Sequence, residues 1–239
     1  MKSCISHYLC ASNHSILGKN KLFRFAELET MQRVFQPGTG LPDQHFFLKG
    51  KWNQEVFHNN HPLIIELGCG RGEYTIGLAG MFPDKNFIGI DKKGARLWRG
   101  AKTSNEDNIL NTAFLRIQAT HLDYYFAEGE LDEIWITFPD PQPQKSRERA
   151  RMTSPRFLEM FKRLLKPNGI VHLKTDNYPL WEYSVQTAAD SGAEILFKTY
   201  DLYAEPLPDQ VLDIKTTYEK RFLSEGFQIC YLKYRWKVG

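Results

Sequence analysis

Asp140 stands between two prolines in "FPDPQPQKSRER", residues 138–149, and the stretch turns strongly basic after its third proline. Pro139 and Pro141 fix φ and remove backbone donors, so a carboxylate held there loses little freedom when a ligand binds. The same three residues could equally form a tight turn in which the aspartate caps its own backbone. A second stretch, "IIELGCGRGEY", places Glu66, Gly68, Gly70 and Gly72 where an apolar run gives way to a helical pattern. Glycine tolerates positive φ and carries no Cβ, so a nucleotide-type ligand can lie against such a turn. Asp91 ends the next apolar run, where a carboxylate can accept hydrogen bonds from the vicinal hydroxyls of a ribose. Gln118 ends a third run; its amide could meet an adenine edge or cap the strand. Asp176 closes a fifth run in "LKTD", and Thr216 to Glu219, "TTYE", has the spacing of a helix capping box.

These residues need a scaffold that gathers the ends of several strands. Apolar runs at 63–68, 86–91, 112–119, 131–138 and 169–176 alternate with helical patterns at 73–82, 93–106, 154–165 and 179–191. Repeated βα crossovers of this kind predict a largely parallel sheet with helices on both faces. The strand-like stretches 193–201 and 227–237, with a short helix over 214–225 between them, are expected to pair antiparallel at the sheet edge. Asp140 and Asp176 then fall on the carboxyl edge of the sheet, where open α/β folds bind their ligands.

The chain of 239 residues suits one α/β domain with small additions. Its 42% hydrophobic and 25% charged residues are globular values, and no run of eighteen apolar residues suggests a spanning helix. Residues 1–17 read as a loose extension, 18–61 as a basic arm and loop, and 62–239 as the domain that carries the chemistry. Cys4, Cys10, Cys69 and Cys230 form no CxxC pair and no zinc spacing, so no metal is expected and a reducing cytoplasm is the simplest setting. The net charge of +3 hides an asymmetry. Between Lys145 and Lys166 eight Lys or Arg face two acids, which fits either a polyanion footprint or a solvated helix face.

The glycine turn admits two cofactor classes. A dinucleotide site shows GxGxxG, whereas the spacing here is GxGxG preceded by Glu66, which resembles the first motif of class I S-adenosylmethionine-dependent methyltransferases. Glu73 at the helix start would repel a pyrophosphate but not a cationic sulfonium. The basic proline stretch resembles the "PDPWPKKRH" signature of bacterial tRNA (guanine-N(7)-)-methyltransferases. Further blocks resemble that family in order: "GKNKLFRFAELETMQRVFQP" from Gly18, "IELGCGRGEYT", "FIGIDKKGAR", "RFLEMFKRLLKPNG", "LKTDN" and "TTYEKRF". Gln142 stands where the signature has Trp and Gln144 where it has Lys, with Lys145 one position on. Gln118 stands where the family often has an acid.

The resemblance implies a Rossmann-like class I methyltransferase fold with a mostly parallel, seven-stranded sheet and an antiparallel C-terminal edge. It also implies S-adenosyl-L-methionine as cofactor and tRNA as partner, with a guanine of the variable loop as target, no membrane, and a monomer or homodimer. Glu66, Gly68, Gly70, Asp91, Gln118 and Asp140 would hold the cofactor. Asp140 would be catalytic, stabilising the charge that develops on the purine. Gln144, Lys145, Asp176, Thr216, Thr217, Tyr218 and Glu219 would bind the guanine, and Arg147, Arg149 and Arg151 the phosphates, with Lys19, Lys21 and Arg24 as a second arm. Guanine N(7) has a lone pair and no proton, so its attack on a sulfonium methyl needs alignment and electrostatics but no general base. A nicotinamide-dependent oxidoreductase and a noncatalytic RNA-binding protein on a methyltransferase scaffold are the rival readings.

Overall fold

The computed structural model describes residues 21–37, 45–204, 206–207 and 209–237. Eight strands form one sheet in the order β1-β4-β3-β2-β5-β6-β8-β7. They are β1 (Val34–Phe35), β2 (Leu63–Leu67), β3 (Asn86–Ile90), β4 (Thr112–Leu115), β5 (Leu131–Thr137), β6 (Leu165–Thr175), β7 (Glu194–Thr199) and β8 (Cys230–Arg235). The helices are α1 (residues 21–30), α2 (Glu73–Met81), α3 (Gly94–Glu106), α4 (Leu122–Tyr125), α5 (Pro155–Leu164), α6 (Tyr178–Asp190) and α7 (Thr217–Ser224). Strands β1 to β6 pair parallel, and β8 enters antiparallel between β6 and β7.

Every residue of β2, β3 and β4 is buried, as expected for parallel strands covered on both faces. Neighbouring residues feed opposite layers: Ile65 and Ile134 belong to one core with Phe157 and Phe161 of α5, and Ile64 and Trp135 to another with Tyr74 and Leu78 of α2. The chain moves outward from β2 through β3 to β4 and then returns to β5 on the other side of β2. That reversal opens a crevice at the carboxyl ends of β2 and β5.

The sheet has one strand more than the seven expected. The extra strand, β1, comes from the segment read as a basic arm. Its two residues are too few for an alternating pattern, and they pair because Phe114 N–H reaches the Arg33 carbonyl at 2.8 Å and Arg116 N–H the Phe35 carbonyl at 2.9 Å. The same segment also supplies core residues. Trp52 is fully buried, donates from Nε1 to the Tyr125 carbonyl at 2.9 Å and stacks on Phe126. The helix expected at 214–225 begins later, because Thr216 caps it by accepting from the Glu219 N–H at 3.2 Å. Residues 1–17, with Cys4 and Cys10, and Lys19 lie outside the described residues.

Candidate active site

The glycine turn between β2 and α2 is set by backbone geometry. Gly68, Gly70 and Gly72 have φ of 72°, 57° and 71°. At Gly72 a Cβ would come within 2.8 Å of the Phe114 ring and 3.0 Å of the Gly100 backbone, so helix α3 can approach only because the side chain is absent. Gly68 and Cys69 both donate N–H groups to the Ile90 carbonyl, at 2.8 and 3.0 Å, which locks the turn onto the end of β3. Asp91 follows directly. Its Oδ2 accepts from Gly70 N–H at 3.0 Å and its Oδ1 from Lys93 N–H at 2.7 Å, so the carboxylate plane is fixed and each oxygen keeps a lone pair.

The proline loop leaves the end of β5 through an unusual backbone. Phe138 has φ of 49° and Gln142 of 44°, although neither is glycine and Phe138 precedes a proline, which favours extended geometry. Three contacts offset the cost of these angles. Phe138 N–H donates to the Lys174 carbonyl at 2.8 Å, Asp140 Oδ1 accepts from Gln142 N–H at 3.2 Å, and Arg151 Nε donates to the Gln142 carbonyl at 3.2 Å. Asp140 is thereby presented at the surface as the tip of an Asx turn.

These two structures face one cavity of about 420 Å³, within the range of small-molecule sites. Gly68, Asp91 and Gln118 line it on one side, and Pro139, Asp140, Gln142 and Arg147 on the other. Met152 and Phe157 add an apolar wall, and Lys93 and Arg96 a basic one. None of these four was singled out in the sequence, where they read as ordinary helix and loop residues. Among the described residues that line the cavity there is no histidine, cysteine or glutamate.

Other expected residues sit elsewhere. Glu66 is buried beneath the turn: one oxygen accepts from Thr75 N–H and Oγ1 at 2.9 and 2.5 Å, the other from Thr137 Oγ1 at 2.6 Å. It does not line the cavity but ties β2 to α2 and β5, and burial pushes its carboxyl up to about 7. Gly70 faces Asp91 with its N–H instead of lining the cavity wall. Asp176 lines a separate recess of about 410 Å³ with Tyr178, Tyr200, Phe227 and Gln228, and burial raises its pKa. Thr217 donates from N–H to Glu73 Oε2 at 2.7 Å and from Oγ1 to Glu73 Oε1, fastening α7 to the start of α2. Tyr218 is 43% exposed.

Three residues have partners that the sequence did not show. Glu219, expected at the substrate, is fully buried and paired with Lys174 at 2.7 Å. Arg151 donates from Nε to the Gln142 carbonyl and lies over the Tyr183 ring, 4.3 Å away, and so braces the loop. Arg24 of the supposed second arm lies over the Trp98 ring at 4.7 Å. Gln144, Lys145, Arg147 and Arg149 are exposed around the short 3-10 helix Lys145–Ala150.

The strand order, the glycine turn and the acid at the end of the second parallel strand define a class I S-adenosylmethionine-dependent methyltransferase. Solved structures share the fold. The 16S rRNA methyltransferase KamB aligns with a TM-score of 0.62 at 16% identity, covering 87% of this chain and 100% of that one. The 16S rRNA (adenine(1408)-N(1))-methyltransferase of Catenulisporales acidiphilia, solved as a variant with its cosubstrate SAM, aligns at 0.57 and 14% identity over 79% and 91% of the two chains. A family model described as "Putative methyltransferase" matches residues 60–232. The tRNA (guanine-N(7)-)-methyltransferase of Christiangramia forsetii is 48% identical over 221 residues, 92% of this chain and 99% of that protein. The chain belongs to the tRNA (guanine-N(7)-)-methyltransferase family. That assignment displaces the nicotinamide reading.

Proposed function

We propose that this protein methylates N(7) of a guanine in tRNA, in the variable loop, and works in the cytoplasm. The observation that carries this reading is the single cavity lined at once by Gly68, Asp91 and Gln118 and by Pro139, Asp140 and Arg147. The fit to S-adenosylmethionine rests on the Asp91 carboxylate, which is pre-oriented by two backbone N–H groups with lone pairs to spare for ribose hydroxyls, and on the Cβ-free approach at Gly68. Gln118 would meet the adenine, and Met152 and Phe157 its faces. When bound, the cofactor supplies an electrophilic methyl group on a sulfonium.

The chain's own residues then have a modest task. An unprotonated ring nitrogen needs no base to activate it, which suits a cavity wall that carries no histidine among the described residues. Asp140, held by the Asx turn, would lower the energy of the purine as it becomes cationic. Gln144 and Lys145 on the loop would complete the acceptor side of the cavity, while Asp176, in its separate recess, and Thr216, Thr217 and Tyr218 at the start of α7 would meet the substrate beyond it. Arg147 and Arg149 would take phosphates beside the reacting base. Incubation with methyl-labelled S-adenosylmethionine and unmodified tRNA, followed by nucleotide mapping, tests the proposal. The expected product is 7-methylguanosine at one variable-loop position. Cofactor binding without transfer would favour the noncatalytic RNA-binding reading.

A further inference from the structure

The recess of about 410 Å³ that holds Asp176 is walled by three rings, Tyr178, Tyr200 and Phe227, which are 49%, 58% and 49% exposed. Each ring stands on a fixed backbone. Tyr178 opens α6 behind the Asn177 cap, with its ring against Trp181 at 5.5 Å. The Tyr200 carbonyl accepts from Cys230 Sγ at 3.3 Å. Phe227 follows Gly226, whose φ is 82°, in the turn that ends α7; its N–H donates to the Phe222 carbonyl at 2.9 Å and the Gly226 N–H to the Leu223 carbonyl at 3.1 Å. A run of rings joins this recess to the cofactor cavity. Phe138, in the cavity wall, packs on Phe222 with centroids 5.8 Å apart, and Phe222 packs on Phe227 at 5.9 Å.

The recess does not suit a phosphate. Among the described residues that line it there is no lysine, arginine or histidine, and its one charge is the Asp176 carboxylate. Flat, uncharged base faces are what exposed rings bind, largely regardless of sequence. Drawing a guanine out of a folded RNA leaves the adjoining base without its stacking partner, and aromatic surface beside the cleft can replace that partner. We propose that Tyr178, Tyr200 and Phe227 form a stacking subsite for the unpaired base next to the guanine that reacts, in the same RNA. The proposal rests on the methyltransferase reading above and adds that two bases are gripped, of which only one is methylated.

The test compares binding of the full chain to intact tRNA and to two synthetic tRNAs, each lacking the base on one side of the target guanine. The starting protein should bind one of the two abasic RNAs about tenfold more weakly than the intact one. Tyr200→Ala should bind intact tRNA about tenfold more weakly and lose nothing further on that abasic RNA, because ring and base are two halves of one contact. Tyr200→Phe keeps the ring and should bind like the starting protein. Phe227→Leu keeps an apolar contact with Phe222 but no ring, and should follow Tyr200→Ala, with S-adenosylmethionine affinity unchanged in every variant. Native affinity of Tyr200→Ala for intact tRNA, or equal tenfold losses on intact and abasic RNA, would overturn the subsite. If the starting protein still makes 7-methylguanosine in those cases, the subsite alone falls; no product from the starting protein would bring down the methyltransferase reading and the subsite with it.

Discussion

The two walls of the cavity are built differently. On the glycine-turn side, position is written into the backbone: three glycines at positive φ, two N–H groups on the Ile90 carbonyl and two more on Asp91. On the acceptor side, the groups that would meet RNA are exposed side chains on a short 3-10 helix and a proline loop, braced from behind by Arg151 and Phe138. A small ligand with one shape rewards a rigid cradle, since preorganisation removes ordering costs at binding. A folded polyanion with many phosphates is better met by long charged side chains that adapt on a firm base.

The largest expected effect breaks the contrast at its centre. Asp140→Ala should lower kcat by about a hundredfold, the scale of losing one electrostatic contact to the transition state, with tRNA affinity changed little. A parallel loss of kcat and affinity would make Asp140 a binding residue. Next, Asp91→Ala should weaken S-adenosylmethionine binding by about 2 kcal/mol in calorimetry while leaving tRNA affinity intact. Unchanged cofactor affinity would remove Asp91 from the ribose.

A smaller effect comes from beneath the turn. Burial raises the Glu66 pKa from 4.5 to about 7, so between those values the folded protein binds more protons than the unfolded chain. Stability should then fall as pH rises from 4.5 to 7. Glu66→Gln, which keeps a hydrogen-bonding group against Thr75 and Thr137, should flatten that slope in thermal melts across the window; an unaltered slope would show that Glu66 ionises freely. The smallest effect separates the arginines. Arg147→Ala and Arg149→Ala should each reduce the salt slope of tRNA binding by about 0.7, and Arg151→Ala should reduce it by less, because that guanidinium also holds the Gln142 carbonyl and the Tyr183 ring.

The geometry of the glycine turn was largely legible in the sequence. Gly68, Gly70, Gly72 and Asp91 act through backbone freedom and local spacing, which residue type reports directly, and the buried strands announce themselves as short apolar runs. The acceptor side was legible in composition but not in contact. Nothing in "TTYE" shows that its glutamate turns inward, because its partner Lys174 lies 45 positions away in a strand that reads as apolar. Likewise, the left-handed φ at Phe138 and Gln142 is dictated by tertiary hydrogen bonds and not by glycine. The core residues Phe46 and Trp52 escaped notice because an irregular segment has no period to reveal its buried face.

The central claim is that cofactor and purine share the cleft between the glycine turn and the proline-braced carboxylate, and a crystal structure of the complex with S-adenosylmethionine tests it most directly. The expected result is ribose hydroxyls on Asp91 and the sulfonium methyl directed toward Asp140, with space beside it for a guanine. A methyl turned away from Asp140, or a closed wall where the purine must enter, would contradict it.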